Sequence, residues 1–353
     1  MSSDPRVAAL EPGDEVLDQL EPDDAPSAGP TLWQRLADNP NVAITLVAVL
    51  VFAFFALTTN TFLTEFNLIN ILRNAALIGI VAVGMTYLLI AGEIDLSVGS
   101  VFGFLTVIMG LLVVELGLSP WLAMVGVIAL GALIGAINGL IRTRIGIPSF
   151  IVTLAMLVAY RSGALIASAE RPLTTRGRTP FYEITGGELF GILPWHVLWM
   201  LAIMALGGLV LARTRFGYHL YATGGNLEAA RLAGINTDRV KLIAFVLTGA
   251  LCGVIGALLF GYLRVAEPTT GTGFEFRVIG AVIVGGVALT GGRGTIYGGL
   301  IGALIISMIT SGLVLLGFSQ DVGDIATGAL IIAAGTIGLL VRRATSRRLG
   351  TLG

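Results

Sequence analysis

The chain has 353 residues, 55% of them hydrophobic and only 12% charged, with a formal net charge of −1. Its mean hydropathy is +0.90. Soluble domains carry about 25% charged residues, and several apolar runs here exceed the ~18 residues that cross a bilayer as a helix. The composition therefore excludes a soluble enzyme and predicts an all-α polytopic membrane protein.

The rare residue types exclude more. One cysteine, Cys252, allows no internal disulfide. Two histidines, His196 and His219, form no zinc constellation, so no metal site is expected. The one lysine, Lys241, has no G-x-x-x-x-G-K-[ST] context. The chain thus carries no standard phosphate loop and no ATP site of its own. Any ATP that drives it is bound by another polypeptide.

Residues 1–30 are acidic, Pro-rich and without apolar periodicity, which predicts a disordered tail. Residues 31–38 place Leu32, Trp33 and Leu36 on one face of a short interfacial helix. The tail domain is taken as 1–40, the transmembrane domain as 41–343, and a basic tail as 344–353. Ten spans are expected near 42–59, 74–91, 98–116, 121–141, 149–168, 195–212, 242–263, 278–290, 296–316 and 322–341. The eighth is short and holds Gly280, Gly285 and Gly286, so it reads as a half-helix or re-entrant element.

Loop arginines set the orientation. Arg142 and Arg144, Arg213 and Arg215, and Arg342, Arg343, Arg347 and Arg348 follow the fourth, sixth and tenth spans. With ten spans, these ends and both termini fall on one side, the cytoplasm. The loop at 170–193 then lies outside, where Arg171, Arg176 and Arg178 run mildly against the rule. Glycine, 48 of 353 residues, is about twice its usual ~7%, which permits close helix contacts and helix breaks. A weak repeat relates Ile78–Gly117 to Ile279–Gly317. Each has an apolar helix, a Gly-rich break and a second apolar helix, the pattern either of a transport site between repeats or of a chance similarity of Gly-rich apolar sequence.

Polar residues inside apolar segments need a local reason. Glu93 and Asp95 lie in the break Gly92-Glu-Ile-Asp-Leu-Ser97. Asp95 or Ser97 suits an N-cap for the helix starting near Val98, and a carboxylate also accepts bonds from sugar hydroxyls. Asn74, Asn138, Thr153 and Arg161 face either other helices through hydrogen bonds or a wet path. Arg161 lies where an arginine snorkels to the outer surface. Phe150 joins this candidate path or gate set.

The polar stretch 221–235 lies between two long apolar segments, within the loop 213–241. Asn226 suits an N-cap, Glu228 the first helical turn, and Gly234 a left-handed end. A helix this short is unstable alone. Leu227, Ala230 and Leu232 are placed to fill a groove. The alternative is a solvated loop with an incidental helical turn.

Glu228, Ala229, Ala230 and Gly234 resemble the Glu-Ala-Ala-x-x-x-Gly coupling motif of membrane subunits in bacterial ATP-binding-cassette importers. The usual downstream Ile-x-Leu-Pro is absent. Gly92-Glu-Ile-Asp-Leu-Ser-Val-Gly-Ser100 is similar to the Gly-x-Ile-Asp-Leu-Ser-Val-Gly signature of ribose, xylose and galactoside type permeases. Pro148 to Leu154 with Tyr160-Arg161 resembles their fifth-helix start. Gly224, Gly225 and Asn226 match that branch's coupling loop, and Gly285, Gly286, Gly291, Gly292 and Gly294 match its late break. The likeness runs from about residue 65 onward. Glu93, where glycine is common, and the long acidic tail depart from it.

The resemblance implies a permease of the bacterial inner membrane that forms the path for a monosaccharide or small polyol. It implies a second permease subunit, often identical, and a cytoplasmic ATPase, typically with tandem nucleotide-binding domains, that holds ATP and Mg. It also implies an extracytoplasmic sugar-binding protein, and no nucleic acid. The competing reading is a proton-coupled secondary carrier of a small neutral solute, with Glu93 and Asp95 titrating. No H-E-x-x-H, paired-cysteine or G-x-S-x-G pattern supports a membrane enzyme.

Overall fold

The computed structural model describes residues 40–176 and 179–350, with side chains to residue 336. The acidic tail, the interfacial helix at 31–38 and the side chains of the basic tail lie outside the described residues. Nearly all of the rest is helix. In chain order the helices are α1 (Pro40–Thr58), α2 (Glu65–Ile90), α3 (Val98–Gly110), α4 (Pro120–Leu140), α5 (Ser149–Ser168), α6 (Pro180–Gly186) and α7 (Trp195–Arg213). They continue with α8 (Arg215–Gly225), α9 (Leu227–Leu232), α10 (Thr237–Leu263), α11 (Phe274–Val284), α12 (Ile296–Leu315) and α13 (Gln320–Gly350). Five-residue π-helical turns extend α3 to Glu115 and α4 to Ile145.

Among the described residues, eight helices are long and apolar enough to span a membrane. The protein is multi-pass. The second expected span starts nine residues earlier than its hydropathy suggested, at Glu65 instead of 74. Polar Asn67, Asn70 and Arg73 hid its first turns from an apolar count. The eighth segment is an 11-residue helix, about 16 Å at ~1.5 Å per residue, half of a ~30 Å bilayer core. It ends where Gly285 and Gly286 (φ +83°) break it.

Helix α2 is the central rod: from Ala75 to Ile90 only Leu77 is more than sparsely exposed. Around it pack α7, α10, α11 and α12. The tightest pair is α4 with α10. A Cβ added at Gly131 or Gly135 would strike the α10 backbone at Gly249 and Phe245, and one added at Gly249 or Gly253 would strike α4. This is small-residue packing, in which backbones approach because no side chain intervenes. Helices α1 and α5 are peripheral and largely exposed.

The loop at 170–193 is more structured than its composition suggested. Strand β1 (Leu173–Thr174) pairs antiparallel with β4 (Val265–Ala266), and β2 (Glu188–Leu189) with β3 (Leu193–Pro194). Phe181, Tyr182 and Thr185 of α6 are buried, and a Cβ at Gly261 would strike Thr185.

The two segments of the repeat read from the sequence share an order of elements. The pairs α2–α3 and α11–α12 each contain a helix, a Gly-rich break and a second helix. Both second helices lead to a left-handed glycine, Gly117 (φ +65°) and Gly317 (φ +90°).

Candidate coupling and gating site

Both breaks and the loop between α7 and α10 meet at one end of the bundle. The first break opens where Gly92 turns left-handed (φ +76°). The Gly92 and Glu93 amides then donate to Leu89 O at 3.0 Å and Leu88 O at 2.8 Å, closing α2. The second break follows α11 and carries left-handed Gly291 and Gly292 (φ +85° and +74°), while Gly294 has φ +152°. The Gly292 amide donates to Ile90 O at 2.9 Å, so the breaks are bonded to each other.

Helix α8 closes over this junction. Tyr221 donates from its hydroxyl to Gly294 O at 2.7 Å. Gly224 lies against both Ile90 and Gly292; a Cβ there would overlap Ile90 O and stand 2.7 Å from Gly292 N. Gly225 has open space where its Cβ would be.

The next helix, α9, forms as its residues dictate. Asn226 (φ −152°, ψ 104°) accepts through Oδ1 from Ala229 N at 3.0 Å, and Glu228 stands in the first turn, where the helix dipole favours an acid. Left-handed Gly234 (φ +82°) ends the helix, with Gly234 N bonded to Arg231 O and Ile235 N to Ala230 O. Only Ala230 is buried against the chain. Leu227, Glu228 and Ala229 are exposed, and Leu232 is 85% exposed. Of the three groove-filling residues, Ala230 faces inward and Leu227 and Leu232 face away.

The charged residue of the first break is bound on two sides. Glu93 is 3% exposed. Lys241, in the first turns of α10 just beyond α9, donates to Oε1 at 2.6 Å. Arg142, in the π-turn ending α4, donates from Nε at 2.9 and 3.0 Å. Burial alone would push the Glu93 carboxyl up, but the bonds from Arg142 and Lys241 outweigh it and hold the group below the usual carboxylate range. A proton carrier needs a group that titrates near its working pH; two cations keep this one ionised. The link to Lys241 spans 148 residues of sequence, and composition gave no signal for it beyond the oddity of a lone lysine next to a membrane span.

The rest of the break is tied to α4 and α5. Asp95 Oδ1 accepts from Ser97 N at 2.8 Å and Ser97 Oγ at 2.6 Å. This is a tight turn before α3. Ser97 itself makes no side-chain cap, because its backbone is already helical (φ −83°, ψ −7°). Asn138 donates to Ser97 Oγ at 3.0 Å. Thr153 Oγ1 accepts from Leu96 N at 3.0 Å, and Ser149 Oγ from Ile94 N at 3.3 Å. Burial pushes the Asp95 carboxyl above its usual range, and the Ser97 bonds offset only part of that. Asp95→Ala would leave the buried Ser97 amide and hydroxyl without their acceptor. The expected cost is about 1–3 kcal/mol, read as lower folded yield and a lower melting temperature in detergent. Full yield with lost uptake would instead assign Asp95 to the path or gate.

The other expected path residues are scattered. Arg161 does not snorkel; its Nη1 donates to Thr269 O at 3.2 Å and Thr270 O at 2.7 Å, pinning the loop before α11. Phe150 is 54% exposed on α5. Asn74 is exposed on the wall of a cavity at the other end of α2. The late-break glycines are structural: a Cβ at Gly285 would strike the Gly298 backbone.

Residues 67–335 match a family described as "Branched-chain amino acid transport system / permease component". Ribose import permease protein RbsC of Escherichia coli (strain K12) is 38% identical over 295 residues, 82% of this chain and 91% of that protein. L-arabinose ABC transporter permease protein AraH of Azospirillum brasilense is 36% identical, covering 86% and 88%. Fructose import permease protein FrcC of Rhizobium meliloti is 33% identical, covering 89% and 90%. No solved structure matches. With bonded Gly-rich breaks, an outward-facing capped helix and relatives that are import permeases over most of their length, the chain belongs to the permease family of these transport systems.

Proposed function

We propose that this chain forms the translocation path of an ATP-binding-cassette importer for a neutral monosaccharide or related small polyol. The named relatives support the cargo class: they are a ribose import permease, an L-arabinose transporter permease and a fructose import permease. In this reading the permease works as a pair of subunits, identical or not, in the bacterial inner membrane. An extracytoplasmic binding protein delivers the sugar. A cytoplasmic ATPase with tandem nucleotide-binding domains holds ATP and Mg. In this reading α11 with its break and α13 complete ten crossings, and both termini lie in the cytoplasm. Arg142, Arg144, Arg213 and Arg215 then lie at the inner end, as the positive-inside rule requires.

The observation that carries the reading is α9. It is six residues long, too short to persist alone, yet capped at both ends and held through α8 against both breaks. Its exposed Leu227, Glu228 and Leu232 are the face an ATPase groove would grip. Closure of the ATPase then pulls on Ile90 and Gly292 through Gly224, and on Glu93 through Lys241.

The test is purification of the tagged permease in mild detergent with its co-purifying chains. A stoichiometric ATPase is expected. Glu228→Lys should weaken that association by at least about tenfold, as loss of an interface hot spot does, and abolish uptake at unchanged membrane levels. Normal uptake by Glu228→Lys would remove the lever. Uptake without ATP by the permease alone would remove the importer.

A further inference from the structure

A cavity of about 420 Å³ lies between α2, α11, α12 and the start of α13. Its volume falls within the ~300–1,000 Å³ of small-molecule sites. It belongs to the end of the bundle away from α9: its wall uses the first turns of α2 and the last turns of α12, whereas Ile90 and Thr295 lie at the coupling end.

The lining mixes apolar surface with polar side chains, of which one, Arg277, is charged. Asn70 and Asn74 project from α2 and make no hydrogen bond to other described residues. Across from them, Ser307 of α12 is 2% exposed, and its Oγ has no partner among the described residues. Asn67 is spoken for: it donates to Phe62 O and accepts from Ser311. The one charged lining group, Arg277, is closed on Asp324 at 2.9 Å. Phe66 and Phe274 add apolar surface.

From this arrangement we infer that the cavity is a binding site for a neutral polyhydroxyl cargo on its way through the membrane, with the Asn70 and Asn74 amides and the Ser307 hydroxyl bonding its hydroxyls. The inference rests on the importer reading and deepens it. Amides and hydroxyls both donate and accept, as sugar hydroxyls do. A buried hydroxyl with no partner costs free energy until a ligand supplies one. An amino acid would bring two charges into a site whose only ion pair is already satisfied, and unpaired buried charges are strongly disfavoured. The C–H face of a sugar ring has Phe66 and Phe274 to lie against. Helix α2 then joins cargo to drive: Asn74 and Ile90 stand on one buried rod, about 24 Å apart at ~1.5 Å per residue.

The test uses the permease with its co-purifying ATPase and binding protein in proteoliposomes, offered D-ribose, L-arabinose, D-fructose and L-leucine. Asn74→Cys and Asn70→Cys should react with a membrane-impermeant thiol reagent added outside, and reaction should block uptake. The native Cys252 is fully buried and should stay silent. Asn74→Leu and Ser307→Ala should each lower sugar uptake about tenfold while the ATPase still co-purifies. Unreactive cysteines, or labelled protein with normal uptake, would overturn the cavity. Uptake of L-leucine in place of every sugar would overturn the cargo class. Absence of an ATPase from the wild-type preparation would overturn the importer reading instead, and the labelling result, which needs no ATP, keeps the two failures apart.

Discussion

Lys241→Met is expected to destabilise the permease by about 3–5 kcal/mol, the cost of removing one partner from a buried ion pair. The lysine lies 6% exposed at 2.6 Å from a Glu93 carboxylate that is 2% exposed. Arg142 alone then faces the charge, from a position 25% exposed. The paired variant Glu93→Gln with Lys241→Met should recover part of the loss, because the buried carboxylate goes with the lysine and only Arg142, 25% exposed, is left without its partner. Thermal unfolding of the four proteins of this double-mutant cycle in detergent measures the coupling. Additive losses would show that the two groups do not act as a pair.

Acid gives a second check on the same carboxylate. Its folded-state value lies below the ordinary glutamate value of about 4.3, so the unfolded chain binds the proton first. The stabilisation is therefore full above the unfolded value and is lost as pH falls through the lower folded value. Wild-type melting temperature should drop through that acid window more steeply than that of Glu93→Gln.

Gly224→Val should uncouple ATP use from transport. Its side chain would overlap Ile90 O and crowd Gly292 N, forcing α8 off the junction of the two breaks. Overpacking of this kind costs about 1–3 kcal/mol, a shift of roughly 5- to 150-fold in an equilibrium. Uptake should fall by that order while α9, which has its own caps, still binds the ATPase. Gly225→Ala is the control, since its added methyl meets nothing within 4 Å. The measurement is ATPase rate beside sugar uptake in one proteoliposome preparation. Equal losses in both variants would refute a specific contact at Gly224.

The two predictions concern the two sides of one lever. On the chain before α9, Gly224 leans on the breaks. On the chain after it, Lys241 grips the first break through Glu93. Under the proposed lever, a displacement of α9 would reach α2, α3, α11 and α12 by two separate routes. A single flexible tether would not transmit it, because motion would be absorbed in the loop.

Some of this was readable from residues alone, and the reason is locality. Apolar run length gave the membrane class, because lipid solvates no unpaired backbone. The caps Asn226 and Gly234 are short-range hydrogen-bond and φ requirements, so a few neighbouring residues specify them. The paired Gly-rich breaks and the short eighth segment were visible for the same reason. The start of α2 was not, since its polar turns line a cavity and so do not count as apolar. Ser97 suited a cap by type, yet its backbone had already entered the helix and Asp95 took the amide.

Tertiary structure alone decided which distant groups meet. Glu93 is typed as a costly intramembrane acid by the sequence; its two cations come from helices 49 and 148 residues away, and no periodicity links them. Arg161 has the stem to snorkel, but two loop carbonyls came within reach first. The cavity wall brings together α2 and α12, whose Asn67–Ser311 contact spans 244 residues. Local propensity determines which segments are helices and where they stop. Which faces they share depends on packing of the whole bundle, where glycine seams such as Gly131 against Gly249 set how closely each rod can lie.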